Sequence, residues 1–185
     1  MLETLSAIGG NIDLMREGLN KVSSDVPNFA KYLKPESISN FDEANEPLYI
    51  KTRNESLAGE NHPETSVPFH EKIIQTNEGT YTGVFPEFPV EYEMKLDESL
   101  YHESDAKQFK AATLSLQDDI NHNPDLKSTF TERQLEQINN GKVPEGYVWH
   151  HSEEPGVMQL VDRSLHENTA HTGGKSIWGG GSENR

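Results

Sequence analysis

Four of the eight histidines in this 185-residue chain fall between positions 150 and 171: His150, His151, His166 and His171. An imidazole titrates near neutrality and, when neutral, offers a lone pair to a divalent cation. Three such rings around one ion, with a fourth left to take a proton, make a workable hydrolytic site. The chain has no cysteine, so thiolate ligation and disulfides are excluded. Any metal must sit on histidine, carboxylate, amide or backbone oxygen.

The elements that must position these rings are legible around them. Tyr147-Val148-Trp149 are strand formers, and His150-His151 stands at the end of that strand. Ser152–Glu154 and Pro155-Gly156 make a turn, with Glu153 and Glu154 as its solvated part or, in the alternative, either one as a holder of metal-bound water. Val157–Val161 is a second strand, and Asp162 begins a helix running to about Ala170. Adjacent strand residues point to opposite sides, so His150 and His151 cannot share one metal without distortion. One faces the helix and the other faces substrate. His166 lies one turn into the helix and points back at the hairpin. His171 sits near the helix end, where unwinding at Thr172-Gly173-Gly174 swings it toward the same point. Trp149 reads as core, not as a base-stacking platform.

Trp149-His150-His151, Pro155-Gly156, Met158-Gln159-Leu160-Val161, His166, His171-Thr172-Gly173-Gly174 and Trp178-Gly179 together resemble the WHH branch of the HNH/endonuclease VII superfamily. The likeness is dense over Tyr147–Gly179. A weaker likeness runs upstream through Val67-Pro68-Phe69 and Gly83-Val84-Phe85-Pro86, which extends it over residues 66–185. The resemblance implies a ββα-metal fold and a C-terminal toxin module of a bacterial polymorphic toxin, paired with an immunity protein. It implies one divalent ion (Mg, Mn, Ni or Zn) held by His150 and His166, with His151 as the general base that activates water. His171 resembles a further helical ligand, although it follows His166 by five residues where colicin nucleases use four; contact with phosphate is its other role. Lys175 and Arg163 are the candidate phosphate contacts.

A net charge of −15 opposes nucleic-acid binding, because polyanion binders ordinarily carry a basic patch. The charge is unevenly placed. Residues 141–185 hold four Lys/Arg against six Asp/Glu, a net of −2, which leaves −13 to residues 1–140. A bound cation would make the histidine-rich end positive. The apolar fraction of 32% lies below the ~45–50% usual for globular chains, which suggests a modest core beside long exposed segments. No run approaches the ~20 apolar residues of a membrane span. Met1-Leu2-Glu3-Thr4 lacks a basic region followed by an apolar run, so export by a delivery apparatus or within a parent toxin chain is the expectation.

Leu2, Leu5, Ile8, Ile12, Met15, Leu19 and Val22 have helical spacing within residues 1–34, and residues 35–66 read as an arm or linker. Residues 1–65 therefore form an N-terminal arm and residues 66–185 the nuclease domain, with its ββα-metal core at about 145–179. Within it, Phe69–Thr76 and Thr80–Phe85 read as a hairpin about Asn77-Glu78-Gly79, with Val90–Leu96 as its third strand. Helices follow at Ser104–Asn121 and Thr131–Asn140, the second opened by a Thr131/Gln134 capping box and stopped at Gly141. The expected whole is an α+β domain that cuts nucleic acid, DNA before RNA, after delivery from the producing bacterium into a target cell's cytoplasm. Two other readings compete. One is a non-enzymatic interaction module with a structural metal. The other is a metal-independent ribonuclease using a histidine pair, which would work in EDTA and could not touch DNA.

Overall fold

The structure, a computed structural model, describes residues 47–181. The amphipathic segment expected at residues 1–34 lies outside them. The described residues form a mixed α+β arrangement of two three-stranded sheets and four α-helices. The first sheet has the order β1-β3-β2, with β1 (Leu48–Tyr49), β2 (Phe69–Thr76) and β3 (Gly79–Pro86). The expected hairpin is present, with Phe69 opposite Pro86 and Thr76 opposite Gly79.

The third strand does not extend that hairpin. β4 (Val90–Lys95) forms where expected but pairs antiparallel with β6 (Val157–Asp162) in the second sheet, ordered β4-β6-β5. The reason lies in Pro86-Glu87-Phe88-Pro89. Proline donates no ladder hydrogen bond and fixes its own φ, so two of them in four residues break the strand and let the chain cross to the other sheet. β5 (Tyr147–His151) completes the second sheet, with Trp149 opposite Leu160 and His151 opposite Met158.

Helix α1 (Asp105–His122) lies against this sheet. Its buried positions include Gln108, Ala112, Leu116 and Ile120, one every four residues, plus Thr113. Two polar contacts fix its position. The Trp149 indole donates to Thr113 Oγ1 at 3.0 Å, and the Tyr92 hydroxyl on β4 donates to Asp119 at 2.6 Å. A short helix α2 (Pro124–Ser128), absent from the sequence reading, follows at once, opened by Asn123 and by a proline in its first turn. In α3 (Glu132–Asn139), Thr131 and Gln134 make the expected capping box, and Gly141 follows with φ 67°. Leu116, Ile138, Trp149, Met158 and Leu160 are almost wholly buried in the main core. A second cluster of Ile50, Ile74, Tyr81 and Phe85 belongs to the first sheet. No described helix is long and apolar enough to cross a membrane.

The stretch read as an arm is packed from residue 47 onward. Ile50 donates to Thr82 O at 2.7 Å and Thr52 Oγ1 to Val84 O at 2.7 Å, which lays this stretch along β3. Leu116 carries no measurable exposure at the centre of the main core. Leu116→Ala is expected to cost about 2–5 kcal/mol through lost transfer energy and a residual cavity. Urea denaturation measures it, and a loss below about 1 kcal/mol would mean that the α1–sheet contact is loose.

Candidate metal and nuclease centre

The strand alternation on β5 divides the histidine pair as expected. Trp149 and His151 point at α1, and His150 points at the other face of the sheet, toward helix α4 (Arg163–Asn168) and the loop behind it. Neither is exposed: His150 is 3% and His151 7% accessible. An isolated His pair on a strand end is ordinarily solvated; these two belong to the interior.

His150 Nδ1 lies 3.3 Å from His166 Nε2 and 3.3 Å from His171 Nε2. One nitrogen from each ring falls within 4.8 Å of the others. Asp162 opens α4 by accepting from Leu165 N at 2.8 Å, which sets the turn that carries His166. The helix ends at Asn168, two residues before the expected stop. His171 therefore arrives from extended chain, and its distance from His166 in sequence need not match a helical repeat. Phe88, from the crossing segment, packs its ring 5.0–5.5 Å from all three imidazoles.

The loop bearing His171 is held from outside. Arg53 N donates to Thr172 Oγ1 at 2.9 Å, the Asn54 amide donates to Ala170 O, and Thr65 and Thr169 hydroxyls meet at 2.6 Å. Nothing in the sequence marks residues 53–65 for this role. The polar, Asn- and Pro-containing composition that suggested a linker is also that of a strap whose partners are loop carbonyls and hydroxyls.

The donor set suits a cation. The His171 Nδ1–H donates to Thr169 O at 2.6 Å, and because a carbonyl only accepts, Nε2 keeps the lone pair and faces the centre. Nitrogen ligands about 2.0–2.1 Å from a tetrahedral cation sit roughly 3.3–3.4 Å apart, and two of the three separations have that value. The rings are also neutral. Burial pushes His150 well below the ordinary histidine range, and the charges of His171, His166, His151 and Lys72 act the same way. Burial, then His171 and Arg163, take His166 down to about 4. Burial lowers His171, opposed by its bond to Thr169, with Arg53 and Glu153 acting in opposite senses.

His151 occupies a different setting. Its Nε2 is 2.7 Å from Gln108 Oε1 and 3.9 Å from Asp105 Oδ1, between the rings of Phe109 and Trp178. Lys175 is 9% exposed and pairs with Asp105 at 2.7 Å. Gly174 makes this packing possible: a Cβ there would fall 1.7 Å from Ser152 O, where the Trp178 indole now donates at 2.8 Å. A cavity of about 400 Å³ is lined by His150, His151, His166, His171, Asp105 and Lys175, among others.

Arg163 does not line it; its guanidinium donates to Tyr147 O at 2.8 Å and approaches Glu167. Glu153 departs from its reading as a solvated turn residue. It is 5% exposed and paired with Lys72 at 2.6 Å, because β2 of the first sheet comes down over the turn. Gln108 and Asp105 were not singled out from sequence. Gln108 had a signal, since it sits four residues before Ala112 in the register of the α1 core stripe.

The family description "DNase/tRNase domain of colicin-like bacteriocin" matches residues 77–173, just over half of the chain. The chain belongs to this family. No curated protein and no solved structure gives a significant match. The matched residues run from the β2–β3 turn to Gly173 and include all four clustered histidines. This colicin-type domain is therefore a nuclease, a hydrolase of the toxin class used in bacteriocin-like competition.

The depressed histidine pKa values set a pH dependence. An unfolded histidine titrates near 6.5 and His166 in the fold near 4, so the native state binds fewer protons between those values. Stability present above about pH 6.5 is lost as pH falls toward 4. In EDTA-treated protein the urea midpoint should drop between about pH 7 and about pH 5, and less steeply in His166→Ala. A midpoint flat across that window contradicts buried neutral rings.

Proposed function

We propose that this domain is a metal-dependent HNH-type endonuclease of the WHH branch, and that its substrate is DNA inside a competing bacterium. The observation that carries the reading is the convergence of His150 Nδ1, His166 Nε2 and His171 Nε2, with His151 on the opposite face of the same strand. In this reading β5, β6 and α4 are the ββα-metal unit. His150, His166 and His171 hold one divalent ion. That ion, when bound, places positive charge beside the phosphodiester and stabilises charge on the phosphate and the leaving oxygen.

His151 accepts the proton of the attacking water. Lys175 lines the cavity, paired with Asp105, and is the nearer of the two proposed phosphate contacts; Arg163 on α4 is the more remote. Burial keeps the three rings neutral, ready to bind a cation without first releasing protons. Water as nucleophile needs no 2′-hydroxyl, which is consistent with DNA; the family description also names tRNA. A cognate immunity protein would protect the producer, and delivery would carry the domain into the target cytoplasm.

Supercoiled plasmid and bulk tRNA incubated separately with Mg²⁺, Mn²⁺, Ni²⁺ or Zn²⁺, and with EDTA, test this directly. Metal-dependent nicking of plasmid is expected. Cleavage of tRNA alone that survives EDTA favours the metal-independent ribonuclease, and metal binding without cleavage favours an interaction module. His151→Ala should lower the cleavage rate by roughly 10²–10⁴-fold while calorimetry shows metal still bound. His166→Ala should weaken metal binding roughly 10-fold or more; unchanged affinity removes it from the ligand set. Expression of the active chain alone should kill a bacterial host, and His151→Ala should not.

A further inference from the structure

Gln108 is fully buried on the first turn of α1, and each polar atom of its amide has a partner. Its Nε2 donates to Leu100 O at 2.7 Å and to Tyr101 O at 2.8 Å, which uses both amide hydrogens. Its Oε1 lies 2.7 Å from His151 Nε2 and 3.4 Å from the Lys175 ammonium. The orientation of the amide follows from these neighbours. Turned over, it would set its oxygen against two carbonyl oxygens and its NH₂ against an ammonium, with no complementary pair among them. The two carbonyls belong to the backbone just before α1, so the anchor does not depend on a side chain that can turn away.

An amide oxygen only accepts, so the short contact to His151 requires a proton on Nε2. A neutral imidazole carries one proton, and its lone pair is then on Nδ1. Phe109 and Trp178 on either side hold the ring plane, and the Lys175–Asp105 pair closes the same end of the pocket.

We propose that Gln108 is a positioning residue that holds His151 as the Nε2–H tautomer, so that the proton of the attacking water is taken at Nδ1. This rests on His151 being the general base. In the step, the water oxygen bonds to phosphorus and the bond to the leaving oxygen breaks. The water proton goes to His151 Nδ1, and the leaving oxygen takes a proton from solvent.

The test begins with the whole chain carrying ¹⁵N-labelled histidine, with Mg²⁺ present, at about pH 7.5, where an ordinary imidazole is neutral. The His151 ring signals are assigned by their loss in His151→Gln. Long-range ¹H–¹⁵N correlations should show the proton on Nε2. A proton on Nδ1, or on both nitrogens, overturns the inference without any Gln108 variant.

Two variants then test the effect on rate with duplex DNA. Gln108→Met removes the acceptor at similar volume; it should lower kcat by roughly 10–100-fold, leave KM within about twofold, and mix the tautomers. Gln108→Glu keeps an acceptor oxygen toward His151 but sets its other oxygen against Leu100 O and Tyr101 O, so it should hold the Nε2–H proton and recover kcat only in part. A folded Gln108→Met enzyme with wild-type kcat, or a folded Gln108→Glu with the His151 proton on Nδ1 alone, overturns the proposal. Full activity of His151→Ala would defeat the general-base reading separately, whatever the tautomer.

Discussion

The packing of β5 against α1 is the contact on which the site depends. It is made by Trp149, whose indole fills the core and whose N–H reaches Thr113 on the helix. Because strand side chains alternate, seating Trp149 on α1 commits His151 to the same face and His150 to the other. One packing decision therefore gives the two histidines opposite settings around one cavity. The face toward α1 places His151 with Gln108 and Asp105, and the opposite face places His150 with His166, His171 and Phe88. A one-residue slip of β5 would exchange the two histidines between faces, which the buried indole forbids.

The two faces of β5 handle charge differently. Among the described residues, no carboxylate hydrogen-bonds to the three converging rings, and burial keeps them uncharged. The charges that do enter the interior come as pairs, Lys72 with Glu153 and Lys175 with Asp105. Removing one member of such a pair leaves the other desolvated and uncompensated, whereas an unprotonated imidazole tolerates burial at little cost. This division leaves the three neutral rings as the place where a cation can add charge. It also bears on the −15 net charge: the acidity lies mainly in residues 1–140, and little of it enters the cavity.

Segments remote in sequence finish what the hairpin begins. The crossing segment delivers Phe88 against the three rings, and residues 53–65 hold the loop at 169–172. Lys72 comes from the other sheet to meet Glu153 beside the turn. A histidine cluster of local origin is thus stiffened by contacts from as far as 119 positions upstream.

The local pattern of the chain determined a good deal. Strand, turn, strand and helix between Tyr147 and Asn168 follow from short-range preferences, and the opposite facing of His150 and His151 follows from the pleat alone. The Phe69–Pro86 hairpin and the Thr131 capping box were legible for the same reason, since turn and cap chemistry is local. Sheet membership was not: β4 has strand-forming residues, but Glu93 meets its partner Gln159 on β6 only 66 positions on, and pattern carries no record of such pairing. Glu153 reads as a turn residue and becomes a buried ion pair for the same cause. Gln108 shows the limit most clearly. Its place in the α1 stripe is written in the four-residue spacing, but its meeting with His151, 43 positions on, exists only once β5 packs on the helix. The histidines of the centre were thus marked by sequence, and the tertiary structure decided which nitrogen each presents, because hydrogen-bond direction depends on partners that only folding brings near.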